Sequence, residues 1–287
     1  MSRFIYADHA GTTALSQTAL AAMTPYFTEQ YGNPSSLYRF GQEAKADLER
    51  ARADIAACIG AKPEEIFFTS GGTEADNWAL KGVVELMALK GKTTGHIITS
   101  AIEHHALLHT AQHLEKQGYA VTCLPVDELG RVSPADVEAA VRPDTVLISI
   151  MAANNEIGTI QPVAEIGAVA RRHKILFHTD AVQAVGHIPV DVQAWNADLL
   201  SLSGHKFGGP RGMGGPVYAE TPAPASPYPR RGPGEGPPLR HRERGRGGGH
   251  GRRPEGGGGA PAGGVRPAVR PAGQADRRPG GPAVYAP

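Results

Sequence analysis

The chain has 287 residues, a formal net charge of +1, 37 Gly, 24 Pro and 2 Cys. The near-neutral total hides two compositions that meet near Gly215: residues 1–215 carry −6, and residues 216–287 carry +7 with 12 Arg and no Lys. Two cysteines exclude a disulfide framework, MSRFIYADHAGTT lacks the apolar stretch of a secretory signal, and no apolar run approaches the ~20 residues of a membrane span, so a cytoplasmic protein is expected.

Residues 1–215 are long enough to form one domain with a sizeable core. Two helices are predicted first. In the second, over 41–59, Ala44, Leu48, Ala51, Ile55 and Ile59 recur at helical spacing. Short apolar runs then read as buried strands at 65–69, 96–99, 120–124, 145–151, 175–178 and 198–202. Amphipathic stretches at 76–89, 106–116, 134–141 and 162–172 read as helices between them. This alternation predicts an α/β fold around a mainly parallel sheet. Residues 216–287 contain no Ile, Phe, Met or Trp and one Leu, Leu239. This Gly/Pro/Arg-rich tail cannot bury enough apolar surface to offset chain entropy, so disorder is expected.

Parallel sheets bind ligands beyond the carboxyl ends of their strands. Five polar segments follow predicted strands there: Ser70-Gly-Gly-Thr-Glu74, Glu103-His-His105, Asn154-Asn-Glu-Ile-Gly158, Thr179-Asp-Ala-Val-Gln183 and Ser203-Gly-His-Lys206. Gly72 and Thr73 open a helix, where free N–H groups favour a phosphate, although a GGT taken alone is more often a plain strand–helix turn with a Thr cap. Ser203 and His205 add donors. Lys206 is either a solvated charge or an amine able to form a Schiff base with an aldehyde cofactor. Asp180, at a strand end, either caps the next helix or pairs with a cation such as the ring nitrogen of pyridoxal phosphate (PLP). His104 either caps a helix or stacks on a planar ring. Asn155 and Gln183 are amides able to bond a phenolic oxygen or a carboxylate. A metal reading rests on His105, His109 and His113 at i, i+4 and i+8 and on His178-x-Asp180, without an HExxH or a paired cysteine.

Seven motifs together resemble the cysteine desulfurases, PLP enzymes of the aminotransferase class V group. They are Tyr6-Ala-Asp-His-Ala-Gly-Thr-Thr13, Tyr31-Gly-Asn-Pro-Ser-Ser36, Phe68-Thr-Ser-Gly-Gly-Thr-Glu-Ala-Asp-Asn77, Ile102-Glu-His-His-Ala106, Asn155-Glu-Ile-Gly-Thr-Ile-Gln161, His178-Thr-Asp-Ala-Val-Gln183 and Ser203-Gly-His-Lys206. The resemblance implies a fold-type-I large domain and a homodimer. It implies that Lys206 is the Schiff-base lysine, that His104 stacks on the ring and that Asp180 pairs with its nitrogen. It further implies that Gln183 bonds the phenolic oxygen, that Asn155 contacts a cofactor oxygen and the substrate carboxylate, and that Gly72, Thr73, Ser203 and His205 hold the phosphate. L-cysteine would become L-alanine, and its sulfur would pass as a persulfide to an acceptor or scaffold protein for iron–sulfur or thio-cofactor synthesis. Selenocysteine lyases and aminotransferases of the same group share the cofactor motifs.

The family's catalytic cysteine and carboxylate-binding arginine are not recognisable after Lys206. Cys58 falls in a helical pattern and Cys123 in a strand pattern. In the tail, Gly, Pro, Arg and Ala make up 54 of 72 residues, and their codons begin with two G/C bases. Shifting the codons of 228–246 by one base permits a Gly-rich GGGQE followed by R-x-GTEN, which resembles the family's next motif. A frame disruption near Gly214 is therefore expected, leaving a body without useful turnover. A competing reading takes Arg244-Gly-Arg-Gly-Gly-Gly-His250 as an RNA-binding segment.

Overall fold

The computed structural model describes residues 3–218. The expected disorder and the RNA-binding reading of the tail lie outside the described residues, apart from 216–218. Six strands form one sheet in the order β2-β1-β3-β4-β5-β6. They are β1 (His96–Ser100), β2 (Ala120–Leu124), β3 (Thr145–Ser149), β4 (Leu176–Asp180), β5 (Leu199–Ser203) and β6 (Gly214–Tyr218). β1 to β5 run parallel, and β6 is antiparallel to β5. The mainly parallel sheet read from the sequence is present. The last strand crosses the composition break at Gly215, so 216–218 pair with β5 where disorder was expected.

Six helices accompany the sheet: α1 (Gln17–Thr28), α2 (Arg39–Ile59), α3 (Gly72–Leu89), α4 (His105–Lys116), α5 (Pro134–Ala140) and α6 (Val163–His173). Their starts follow capping chemistry. Ser16 accepts from the Ala19 N–H at 3.1 Å before α1. Ser133 accepts from Asp136, and Pro134 takes the first helical position of α5. The strands alternate sides as their period of two requires. Ile97, Leu147 and Leu199 pack with Leu80, Val83 and Leu107 of α3 and α4. Their neighbours Ile98, Ile148 and Leu200 pack with Val137, Ile166 and Val169 of α5 and α6.

Two buried histidines tie strands together across the sheet. His96 on β1 bonds Thr145 of β3 at 2.8 Å and Thr122 of β2 at 2.7 Å. His178 on β4 bonds Ser149 of β3 at 2.8 Å and Ser201 of β5 at 3.0 Å.

The run 65–69 is not the expected strand. A 3-10 turn spans Pro63–Glu65, and Thr69 pairs with Gly214 as an isolated bridge. Ile66 and Phe67 are nonetheless buried. The apolar pattern there reports burial with single bridges in place of a continuous strand, because the chain turns at once into α3. The stripe on α2 also differs: Ile59 is buried, while Leu48 and Ala51 are exposed.

β1 has β2 on one side and β3 on the other, so the connections after β1 and β3 leave in opposite directions along the sheet. Such a switch point opens a crevice beyond the strand ends.

Candidate active site

A cavity of about 420 Å³ occupies that crevice. All nine residues singled out from the sequence line it: Gly72, Thr73, His104, Asn155, Asp180, Gln183, Ser203, His205 and Lys206. Each comes from a strand end or a helix start. Gly72 and Thr73 begin α3, His104 caps α4, and Asn155 follows β3. Asp180 ends β4, Ser203 ends β5, and Lys206 closes the 3-10 turn Gly204–Lys206.

One of these residues combines both roles left open by the sequence. His104 caps α4, its Nδ1 accepting from the Ala106 N–H at 3.2 Å, and still borders the cavity. Asp180 accepts from the Val182 N–H at 2.9 Å and is 4% exposed; a turn and not a helix follows it, so it caps no helix. Burial pushes its carboxyl up, opposed by that N–H and by the charges of His104 and Lys206. Lys206 donates to the carbonyls of Ala10 at 2.5 Å and Gly11 at 2.9 Å. Burial lowers its pKa, and Asp180 and Asp8 oppose that shift.

Gly72 is required by space. A Cβ there would lie 2.8 Å from Val182 Cγ2 and 3.5 Å from Ser203 Cβ. The absence of a side chain lets the start of α3 sit against the end of β5, where Thr73, Ser203 and His205 gather.

The sequence reading did not name as site residues Asp8, Ala10 and Gly11, which line the cavity from a turn over residues 9–11 and the residue before it. Gln183 Nε2 donates to the Ala10 carbonyl at 2.8 Å, and Thr12 Oγ1 meets His205 Nδ1 at 3.0 Å. It also missed Asp76 and Glu103. Asp76 lines the cavity at 1% exposure, and burial with the neighbouring Asp180 pushes its carboxyl well up. Glu103 is pushed up to about 8 by burial, although Ser100 and the Met151 N–H both donate to its Oε1. His178, fully buried, is pushed down to about 3 and so stays neutral.

Cys58 and Cys123 are free and exposed, and neither lines the cavity. Among the described residues no group of three or more His, Cys, Asp or Glu side chains is placed to share a metal ion. No described helix is long and apolar enough to cross a membrane.

The sequence pattern of the family described as Aminotransferase class-V matches residues 5–223. The chain belongs to the aminotransferase class-V family. Within it, the chain is 56% identical over 213 residues to a cysteine desulfurase IscS of Methanosarcina thermophila, covering 74% of this chain and 52% of that one. It is 53% identical over 214 residues to a cysteine desulfurase IscS of Clostridium botulinum, covering 75% and 53%. A solved NifS-like protein superposes with a TM-score of 0.75 at 40% identity, over 78% of this chain and 61% of that one. A structure described as SspA in complex with cysteine gives 0.71 at 42% identity, over 74% and 60%. The class-V chain therefore spans about half the length of the curated relatives it matches. The fold-type-I architecture expected from the motifs is present, and the relatives are PLP-dependent enzymes.

Proposed function

We propose that the cavity is the PLP and substrate site of a cysteine desulfurase-type enzyme. The observation that carries this reading is the convergence of nine residues, named from sequence, on one cavity, among them a half-buried lysine and a buried aspartate. The donor set fits the cofactor. Asp180 supplies a buried anion for a ring nitrogen, and Gly72, Thr73, Ser203 and His205 form a phosphate cradle at a helix start. His104 offers a flat ring at the cavity wall, and Gln183 and Asn155 offer amides for the phenolic oxygen and the substrate carboxylate. Lys206 is the attachment point.

When bound, PLP supplies an electron sink for charge at the substrate Cα. The chain's own part is to hold and to move protons. Burial brings the Lys206 amine closer to its neutral form, and as a free base its Nζ takes the Cα proton. His104 and Lys206 form the catalytic pair.

In a complete enzyme of this type the substrate is L-cysteine: a catalytic cysteine thiolate attacks the substrate sulfur, the C–S bond breaks, and the products are an enzyme persulfide and L-alanine. The match to a cysteine-bound SspA supports this over selenocysteine. The sulfur goes to an acceptor or scaffold protein for iron–sulfur or thio-cofactor synthesis, in the cytoplasm. A second copy completes the site: α1 has no buried residue, and Phe4, Ile5, Tyr31, Leu37 and Tyr38 are exposed.

We propose further that the sequence as it stands does not turn over cysteine. Neither cysteine lines the cavity, and the family match ends at 223, close to the composition break at Gly215. The test has two readings. Purified protein mixed with PLP and then gel-filtered should keep a visible absorption band that Lys206→Ala lacks; equal bands in both would overturn the site. Alanine release from cysteine at an ordinary enzymatic rate would overturn the inactivity.

A further inference from the structure

Two buried carboxyls, Asp76 and Asp180, line the cavity, and a third, Glu103, acts on Asp76 from outside the lining. Asp76 on α3 is 1% exposed, and Asp180 on β4 and Glu103 after β1 are each 4% exposed. An ionised carboxylate in such a place needs cations or several donors. Asp76 has little of either. Asp180 from β4 and Glu103 from the β1–α4 connection face it as like charges, His178 of β4 lies beside it, and a hydrogen bond from Ser201 of β5 is the one donor that opposes the rise. Its Oδ1 is buried without a hydrogen-bond partner and lies 3.9 Å from His178 Nε2. Both His178 ring nitrogens are already engaged by Ser149 and Ser201.

Asp180 is better served: the Val182 N–H bonds it directly, and the charge of Lys206 acts on it. Two neighbouring carboxyls that differ in this way separate into one acid and one anion, because two buried like charges cannot both be kept.

We infer that Asp76 is a positioning residue that stays a neutral carboxylic acid, so that Asp180 is the one anion of the pair offered to an incoming cation. The inference rests on the reading of Asp180 as counter-ion to the PLP ring nitrogen. One anion then meets one cation. A second anion would leave the buried floor with uncompensated charge, and a shared or misplaced proton would weaken Asp180 as a partner. Asp76 acts through Asp180 and does not itself carry out chemistry.

The experiment uses the full chain and two variants, Asp76→Asn and Asp180→Asn. Infrared spectra are recorded near neutral pH without cofactor. The wild-type minus Asp76→Asn difference should show loss of a protonated-carboxyl C=O stretch. Loss of a carboxylate stretch in its place would overturn the inference. PLP is then titrated by absorbance. Asp76→Asn should bind within about threefold of wild type and Asp180→Asn at least about tenfold more weakly, as expected for a lost charged hydrogen bond. Equal weakening in both variants would also overturn it. Should Asp76→Asn fail to fold, Asp76→Ser is read by the same infrared criterion. If no version binds PLP, the functional reading falls, while the infrared difference still decides the protonation of Asp76.

Discussion

Lys206 Nζ donates to the Ala10 carbonyl at 2.5 Å, joining the turn after β5 to a segment 196 residues earlier. Gln183 donates to the same carbonyl at 2.8 Å. The turn over residues 9–11 is thus part of the site. It holds the amine that the proposed chemistry requires.

That segment is anchored by Thr13. Its Oγ1 donates to the His205 carbonyl at 2.9 Å and accepts from the Gly208 N–H at 2.8 Å. Thr13→Val keeps the shape and removes both bonds, leaving half-buried polar groups unpaired. The expected cost is about 1–3 kcal/mol of stability. Chemical denaturation measures it, and retained PLP after gel filtration should fall in parallel. An unchanged midpoint would show that the anchor lies elsewhere.

The buried carboxyls and His178 give stability opposite pH slopes. Glu103 titrates near about 8 when folded and at 4.5 when unperturbed. The unfolded chain therefore releases this proton first, and stability falls as pH rises from 4.5 to about 8. Glu103→Gln retains an acceptor for Ser100 and Met151 and should make that slope shallower; Asp76 leaves a remainder of the same sign. His178 titrates near about 3 folded against 6.5, so its contribution is lost as pH falls from 6.5 towards 3. His178→Gln should flatten this acid limb. Denaturation midpoints across a pH series check both, and an unaltered alkaline slope in Glu103→Gln would contradict the assignment.

Gly72 gives a steric prediction. A Cβ at this position already comes within 2.8 Å of Val182 Cγ2, so Gly72→Val forces the start of α3 and the turn after β4 apart. PLP affinity should drop by about tenfold or more, of the order of one charged hydrogen bond. Titration by absorbance measures it. Binding at the wild-type level would remove Gly72 from the phosphate cradle.

The composition break makes a genetic prediction. Sequencing the locus across the codons for residues 205–225 should reveal a one-base shift in reading frame near Gly214. Independent DNA carrying the tail in an intact frame would contradict it.

The site was more legible than its surroundings, for a physical reason. Ligand contacts in a parallel sheet cluster where strands end, and those places carry polar and glycine-rich segments that stand out against apolar runs. Lys206, Asp180, His104 and the rest were found in this way. Asp76 was missed because it lies inside a helix, past the turn at which that search stops. A signal was available: Asp76 shares a face with Ala79, Leu80 and Val83, and all four are buried. A charged residue on an apolar helix stripe is a buried charge and needs an explanation. Glu103 was passed over because the histidine beside it drew attention. The run 65–69 misled because burial and strand pairing leave the same apolar signature over so few residues.

The most direct test of the central claim is borohydride reduction of the PLP-treated protein followed by peptide mass spectrometry. Reduction fixes the cofactor to whichever amine holds it. We predict a pyridoxyl-phosphate mass addition on the peptide carrying Lys206. Addition spread over surface lysines such as Lys45, Lys81 or Lys116, with Lys206 unmodified, would contradict the account.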